Sequence, residues 1–439
     1  MLRNQLDESN SVAILDAADL DDPAEPSAIA LPTSHDIALL QHSSGTTGLK
    51  KGVMLTYGAI ENQLMAYTTA IHAEVSDVLV SWLPVYHDMG LVACTLMPLM
   101  LGATVVVLDP FEWSANPVTL FHRITEHHGT LVWLPNFAFE HLVRGISRTN
   151  DTFDLSSVRA FIDCSEPCKP TTFQRFAAHF AERGVKQKQL QVCYAMAETV
   201  FAVTQTHLNR PVQEITISEA ALRHESVARP PKGDEMTISL LSAGYPIEGT
   251  TIRIAPANSD RAGDRVVGEV VVRSSSLFDG YYRLPDETQA RLAGCEYFTR
   301  DLGFVLDGAL YVLGRMDDLV IVHGKNIYAH EIEAIVATIP GLKAGRAVAF
   351  GVDNSLIGSQ DLVVIAELDV GAPDGNTSRD IKDSVYQELG LMVREALIVP
   401  PGWLVKTTSG KISRLSNKEK YLHEKMVQRT TTMNGQRNG

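Results

Sequence analysis

Short, nearly unbroken apolar runs recur along this chain: TVVVLD at 104–109, LVWLP at 131–135, EVVVR at 269–273 and LVVIAEL at 362–368. Runs of that length without polar alternation read as strands buried on both faces, and such strands need cover above and below. PVTLFHRITEHHG at 117–129 supplies one such cover, with apolar residues recurring at three and four as on a helix. Strands alternating with helices predict an α/β fold, here a large N-terminal domain of layered sheets and helices. Near 315 the character changes. GRMDDLVIVHGKNIYAHEIEAIVATI reads as a turn, a short strand and an amphipathic helix opening a small α+β C-terminal domain. The expected division is a large domain over 1–314, a hinge at 315–318, a small domain over 319–427, and a polar tail, disordered over 428–439.

Charge and cysteine usage narrow the function. With 52 acidic against 38 basic side chains the formal net charge is −14, which argues against non-specific binding to nucleic acid. The five cysteines, Cys94, Cys164, Cys168, Cys193 and Cys295, show no zinc spacing and read as reduced thiols. The acidic start of the chain lacks the apolar core of a signal peptide, and no run approaches 18 uncharged apolar residues, so no membrane span is expected and the cytoplasm is the expected location.

The chemistry concentrates in a few stretches. HSSGTTGLKKGVMLT at 42–56 combines Gly45, Gly48 and Gly52 with the hydroxyls of Ser43, Ser44, Thr46 and Thr47 and the cations Lys50 and Lys51, a composition suited to cradling phosphate. The Walker A spacing is absent, which disfavours an ordinary P-loop NTPase. YAMAET at 194–199 sets Glu198 after small residues, where a carboxylate can hold Mg2+ against a nucleotide phosphate. FTRDLGF at 298–304 sets Asp301 before a glycine turn, suited to accept from two ribose hydroxyls, and VKTTSGKISR at 405–414 carries Lys411 on a glycine-containing turn. Taken singly, each stretch is also compatible with a polar turn, a helix cap or a solvated lysine.

Together and in this order, from about Ile37 to Arg414, these stretches resemble the adenylate-forming superfamily of acyl-CoA synthetases, peptide-synthetase adenylation domains and luciferases. SSGTTGLKKGV resembles its phosphate loop, YAMAE its adenine and magnesium motif, TRDLGF its ribose segment, GRMDD its interdomain hinge and KTTSGK its catalytic lysine loop. SWLPVYHDMGLV (81–92), LPNFAFE (134–140), SEP (165–167) and the segment 301–333 are similar to stretches of fatty acyl-AMP ligases. The long segment 207–244 resembles the insertion that separates those enzymes from CoA-forming relatives.

The resemblance implies ATP-dependent activation of a fatty acid with Mg2+ and transfer to an acyl carrier protein in lipid, polyketide or lipopeptide assembly. It implies that Ser43, Ser44, Gly45, Thr46, Thr47, Gly48 and Lys51 cradle phosphates, that Glu198 holds Mg2+, and that Asp301 and Arg315 hold the ribose. Ser165, Glu166, Pro167, Tyr194, Ala195 and Met196 line the adenine slot, His87 orients the carboxylate, Lys411 serves the α-phosphate, and Asp317 marks the hinge. Lys50 and Val405 stand where proline is common, and Ala195 and Arg300 where glycine is common. Only 41 residues precede His42, fewer than in the resembled enzymes, so the large domain is expected to be N-terminally truncated and covered by a companion chain or by self-association. The other readings are a CoA ligase, an amino-acid-activating domain, and a non-catalytic homologue acting as a partner.

Overall fold

The computed structural model describes residues 31–42, 51–146, 152–165, 168–256, 263–322, 325–354, 359–369, 376–406 and 412–435. Ser43, Ser44, Gly45, Thr46, Thr47, Gly48, Glu166, Pro167 and Lys411 lie outside them.

The chain first forms an antiparallel pair, β1 (Ile37–His42) with β2 (Gly52–Thr56), then helix α1 (Tyr57–Ala70). The central sheet takes β3 (Val78–Ser81), β4 (Thr104–Val107), β5 (Leu131–Leu134), β6 (Ala160–Cys164), β7 (Leu190–Ala195), β8 (Ala202–Gln205) and β11 (Tyr245–Pro246). Their order is β11-β8-β7-β6-β5-β3-β4, parallel from β4 to β7 and antiparallel at β8 and β11. Every residue of β5 and β6 is buried, as unbroken apolar runs demand when both sheet faces are covered. The covers are α2 (Val118–His127), α3 (Asn136–Gly145) and α4 (Pro170–Phe180). α2 buries Val118, Leu120, Phe121 and Ile124, and it ends where His128 turns left-handed at φ 53° and Gly129 donates back to Ile124 O at 2.8 Å. Phe121 meets Phe153 and Phe180 with ring centroids 5.0 Å apart, so aromatic packing fills the layer between α2 and α4.

A second sheet orders β12 (Thr250–Pro256), β13 (Gly268–Ser274), β15 (Glu296–Leu306) and β14 (Leu292–Ala293), with β16 (Ala309–Arg315) beside β15 and helix α5 (Pro285–Arg291) leading into β14. The segment 207–244 forms its own antiparallel pair, β9 (Glu214–Ser218) with β10 (Thr237–Leu241). Ile215, Ile217, Ile238 and Leu240 press that pair into a cluster with Phe304, Tyr311, Leu313 and Tyr328.

Beyond a short turn at Met316–Asp318 the residues build separate apolar clusters. β17 (Leu319–Val322) pairs with β18 (Lys325–Tyr328), followed by α6 (Ala329–Val336), and β19 (Leu342–Asn354), β20 (Ser359–Leu368) and β21 (Val393–Val399) form a three-stranded sheet. One face packs Ile332 and Val336 of α6 and Ile381 and Val385 of α7 (Thr377–Leu389) against Leu362 and Val364. The other face packs Val348, Phe350 and Ile365 against Leu404 and Tyr421, the latter on α8 (Arg414–Gly435). The fold is thus α/β with a small α+β C-terminal portion. α8 runs on into the polar stretch expected to be disordered from 428, because no helix-breaking residue interrupts it before Gly435.

Candidate active site

In an open α/β sheet ligands gather beyond the carboxyl ends of the strands. That is where the structure places Ser165, just past β6 and left-handed at φ 74°, and Tyr194 and Ala195, the last residues of β7, with Met196 following. Met196 donates its N–H to Phe201 O at 2.8 Å, closing a tight reversal around Ala197–Thr199 that carries Glu198. Val200, fully buried, turns that reversal at φ 66°, a left-handed conformation a β-branched residue resists. Strain of this kind costs about 1–3 kcal/mol and persists only where packing over-determines the backbone.

Glu198 is buried and held. The Tyr281 hydroxyl donates to its Oε1 at 2.8 Å and sits 3.2 Å from the Tyr297 hydroxyl. Burial first, and the Glu198 charge next, push the Tyr281 phenol well above its usual range, so it stays a donor. Lys51 lies over the Tyr281 ring, 5.1 Å from its centroid, with Nζ 2.5 Å from Glu287 Oε2. The bond to Lys51 holds the Glu287 carboxyl below the usual carboxylate range. β2, which follows the 43–50 segment, is stitched to the same place: Met54 donates to Gly280 O at 2.9 Å and Tyr282 to Gly52 O at 2.7 Å. Because His42 pairs with Gly52, both ends of the loop are anchored on one strand pair.

A second group meets at Asp301. Tyr194 donates its hydroxyl to Asp301 Oδ2 at 2.5 Å, and Arg315 Nε stands 3.3 Å from Oδ1. Strand register does this, since β15 and β16 set Asp301 opposite Arg315. Burial raises the Asp301 carboxyl above its ordinary range against the opposing pull of Arg315 and Tyr194, while the Asp301 charge raises Arg315. Burial raises the Tyr194 phenol, and the Asp301 charge adds to it. Glu198 is near enough to act electrostatically on both Asp301 and Arg315, so the two groups form one site.

His87 follows β3 on the same carboxyl edge and turns to its own neighbours, with Nδ1 2.7 Å from Asp88 Oδ1 and 3.3 Å from the Met89 N–H. Lys406 and Ile412, which flank the residues 407–411, bridge antiparallel. Buried Asn417 clamps that bridge, accepting from Val405 N at 2.9 Å and donating to Val405 O at 2.9 Å and Ser413 O at 2.7 Å. Sequence reading missed Tyr281, Tyr297 and Glu287, which reach the site over long separations, and Asn417, which holds the residues flanking 407–411; none carries a motif of its own.

Among the described residues no cluster of three or more His, Cys, Asp or Glu side chains is arranged to hold a metal. A single fixed carboxylate at Glu198 fits Mg2+ shared with phosphate oxygens, the usual manner of Mg2+ binding in nucleotide sites. None of the described helices is long and apolar enough to cross a membrane.

Residues 3–282 match the family described as AMP-binding enzyme. The medium-chain-fatty-acid acyl-carrier-protein ligase JamA of Moorena producens is 30% identical over 89% of this chain and 68% of its own length. The ligase of the same description, TtuA, from Teredinibacter turnerae is 32% identical over 86% of this chain and 62% of its own. A long-chain-fatty-acid–AMP ligase of Mycobacterium marinum is 30% identical over 94% of this chain and 74% of its own. Among solved structures, one from a study of fatty acyl-adenylate ligases of E. coli and L. pneumophila superposes with a TM-score of 0.85 at 27% identity, covering 92% of this chain and 74% of that one. The chain belongs to the AMP-binding enzymes, on the fatty acyl-AMP ligase branch of that family.

Proposed function

We propose that the chain uses ATP to activate a fatty acid as its acyl-adenylate and passes the acyl group to the phosphopantetheine arm of an acyl carrier protein. The Tyr194–Asp301–Arg315 group beside Glu198 carries this reading, because it brings two carboxylates, one flanked by a phenol and a guanidinium, together where the central sheet meets the second sheet. A substrate carboxylate oxygen bonds to the α-phosphorus, the bond from that phosphorus to the β-phosphate oxygen breaks, and pyrophosphate leaves. The protein's task is positioning and neutralisation of charge at phosphorus. Asp301, with Tyr194 on one oxygen and Arg315 beside the other, is a preset acceptor for ribose hydroxyls. Lys51 and the loop hydroxyls face the β- and γ-phosphates, His87 orients the carboxylate, and Lys411 places a point charge at the α-phosphate. Glu198 would hold Mg2+, which would supply further charge neutralisation at the phosphates.

In this reading the division falls at 315–318, and the Met316–Asp318 turn is the pivot on which the C-terminal domain moves between adenylation and transfer. Transfer to a carrier rather than to free CoA is supported by the segment 207–244. Its β9–β10 pair is packed on β15 and β16, and its Arg223 bonds Glu331 of α6 at 2.7 Å, tying the segment to the C-terminal domain. Lipid, polyketide or lipopeptide assembly is the setting this chemistry serves. Mass spectrometry of reactions offered ATP, a fatty-acid panel, a phosphopantetheinylated carrier and free CoA tests the reading. Acyl-carrier is the expected product, and efficient acyl-CoA formation would place the chain among CoA ligases.

A further inference from the structure

Arg300 stands in the left-handed region at φ 64°, at an irregular stretch of the β13–β15 ladder, a conformation that glycine takes freely and arginine does not. What the arginine adds is its side chain. Its Nη2 bonds Asp317 Oδ1, in the turn that leaves β16, and its backbone N–H donates to Glu269 Oε1 at 2.8 Å. The residues of that turn divide by partner. Arg315 pairs with Asp301 and Asp317 with Arg300, both partners on β15. Asp318 pairs with Arg414, which in turn bonds Glu333 of α6 at 2.8 Å and the Ala349 carbonyl of β19 at 3.0 Å. Residues up to 317 are therefore tethered to the sheet bearing Asp301, and residue 318 to the C-terminal cluster. A cavity of about 250 Å³, lined in part by Asp317, Asp318, Gln360, Arg414 and Lys418, opens beside the turn.

We propose that Arg300 is a positioning residue: its ion pair with Asp317 latches the 315–317 stretch to β15, which keeps Arg315 on Asp301 and confines rotation of the C-terminal portion to the bonds joining residues 317 and 318. The proposal rests on the adenylation reading only for its kinetic consequence. The latch itself is a property of the unliganded chain. An arginine that merely filled space here would give up nothing on replacement by a residue that accepts left-handed backbone, since the strain would fall. A latch responds to charge instead.

The test uses the full chain and three variants: Arg300→Asp, whose short side chain accepts a left-handed backbone, Asp317→Arg, and the two combined. Hydrogen–deuterium exchange without nucleotide is read on peptides spanning 315–319. Either single variant should speed exchange there about two- to fivefold, the step that loss of an exposed ion pair of about 0.5–1 kcal/mol gives, and the double variant, which restores the pair with reversed charge, should return it to within about 1.5-fold of wild type. In pyrophosphate exchange the single variants should raise the KM for ATP while kcat changes little, with recovery in the double variant. Unchanged amide exchange in both single variants, or a double variant no better than the worse single, overturns the latch whatever the turnover. Amide exchange that follows the prediction in a wild-type chain showing no pyrophosphate exchange sustains the latch and sinks the adenylation reading instead.

Discussion

Asp301 is held between Arg315, set opposite it by register, and the Tyr194 hydroxyl. Its replacement by asparagine removes the charged acceptor proposed for two ribose hydroxyls, and hydrogen bonds to charged groups contribute about 1.5–3 kcal/mol each. We expect Asp301→Asn to raise the KM for ATP by roughly 10–100-fold, read by steady-state pyrophosphate exchange. His330 offers a pH signature. It stacks on Tyr328, and burial, reinforced by the Lys169 and Arg414 charges, pushes its pKa down to about 4. An unfolded histidine titrates near ~6.5, so between those values only the unfolded chain holds the proton. The stability this group contributes is complete above the unfolded value and is lost as pH falls toward 4. Thermal melts of wild type and His330→Gln should therefore converge by about 1–3 kcal/mol as pH drops from 7 to 4.5. Short motifs singled out Asp301, Arg315, Glu198 and Tyr194, and the structure brings these four together. Tyr281, which bonds Glu198 across 83 positions, was not, since only the folded path of the chain brings it there.

Among the elements, the apolar runs named their strands: LVWLP became β5, buried throughout, and LVVIAEL lies within β20, whereas TVVVLD became β4, half exposed because it ends the sheet. The β9–β10 pair was harder to foresee, because its apolar residues interleave with polar ones over a segment recognised by likeness alone. Its structural consequence centres on Arg223, 9% exposed, which bonds Glu219 and Glu331 at 2.7 Å each. Removing one partner of a buried pair costs about 3–5 kcal/mol, and the part-exposed glutamates place this case at the low end. Arg223→Met should lower the urea midpoint accordingly, and, if this segment restrains the C-terminal domain, it should raise the share of acyl-CoA over acyl-carrier product. A destabilised variant with an unchanged product ratio would leave the segment no part in acceptor choice.

At the scale of the whole molecule, the central sheet ends on β4, a strand whose outer residue Val107 is 74% exposed and which leads into Phe111 at 85% exposure. An apolar strand edge of this kind invites pairing with another chain. Sedimentation velocity should show concentration-dependent association that Val107→Lys with Phe111→Lys weakens, and a strictly monomeric wild type would remove the edge from consideration.

The central claim, formation of an acyl-adenylate with Lys411 serving the α-phosphate, is met most directly by exchange of labelled pyrophosphate into ATP. Wild-type chain and Lys411→Ala should be compared across a panel of fatty acids and amino acids. The account predicts exchange that requires a fatty acid and falls by about 10²–10³ without the lysine, the usual cost of one preorganised charge at a developing oxyanion. Exchange that is independent of fatty acid, or equal in the two proteins, would contradict it.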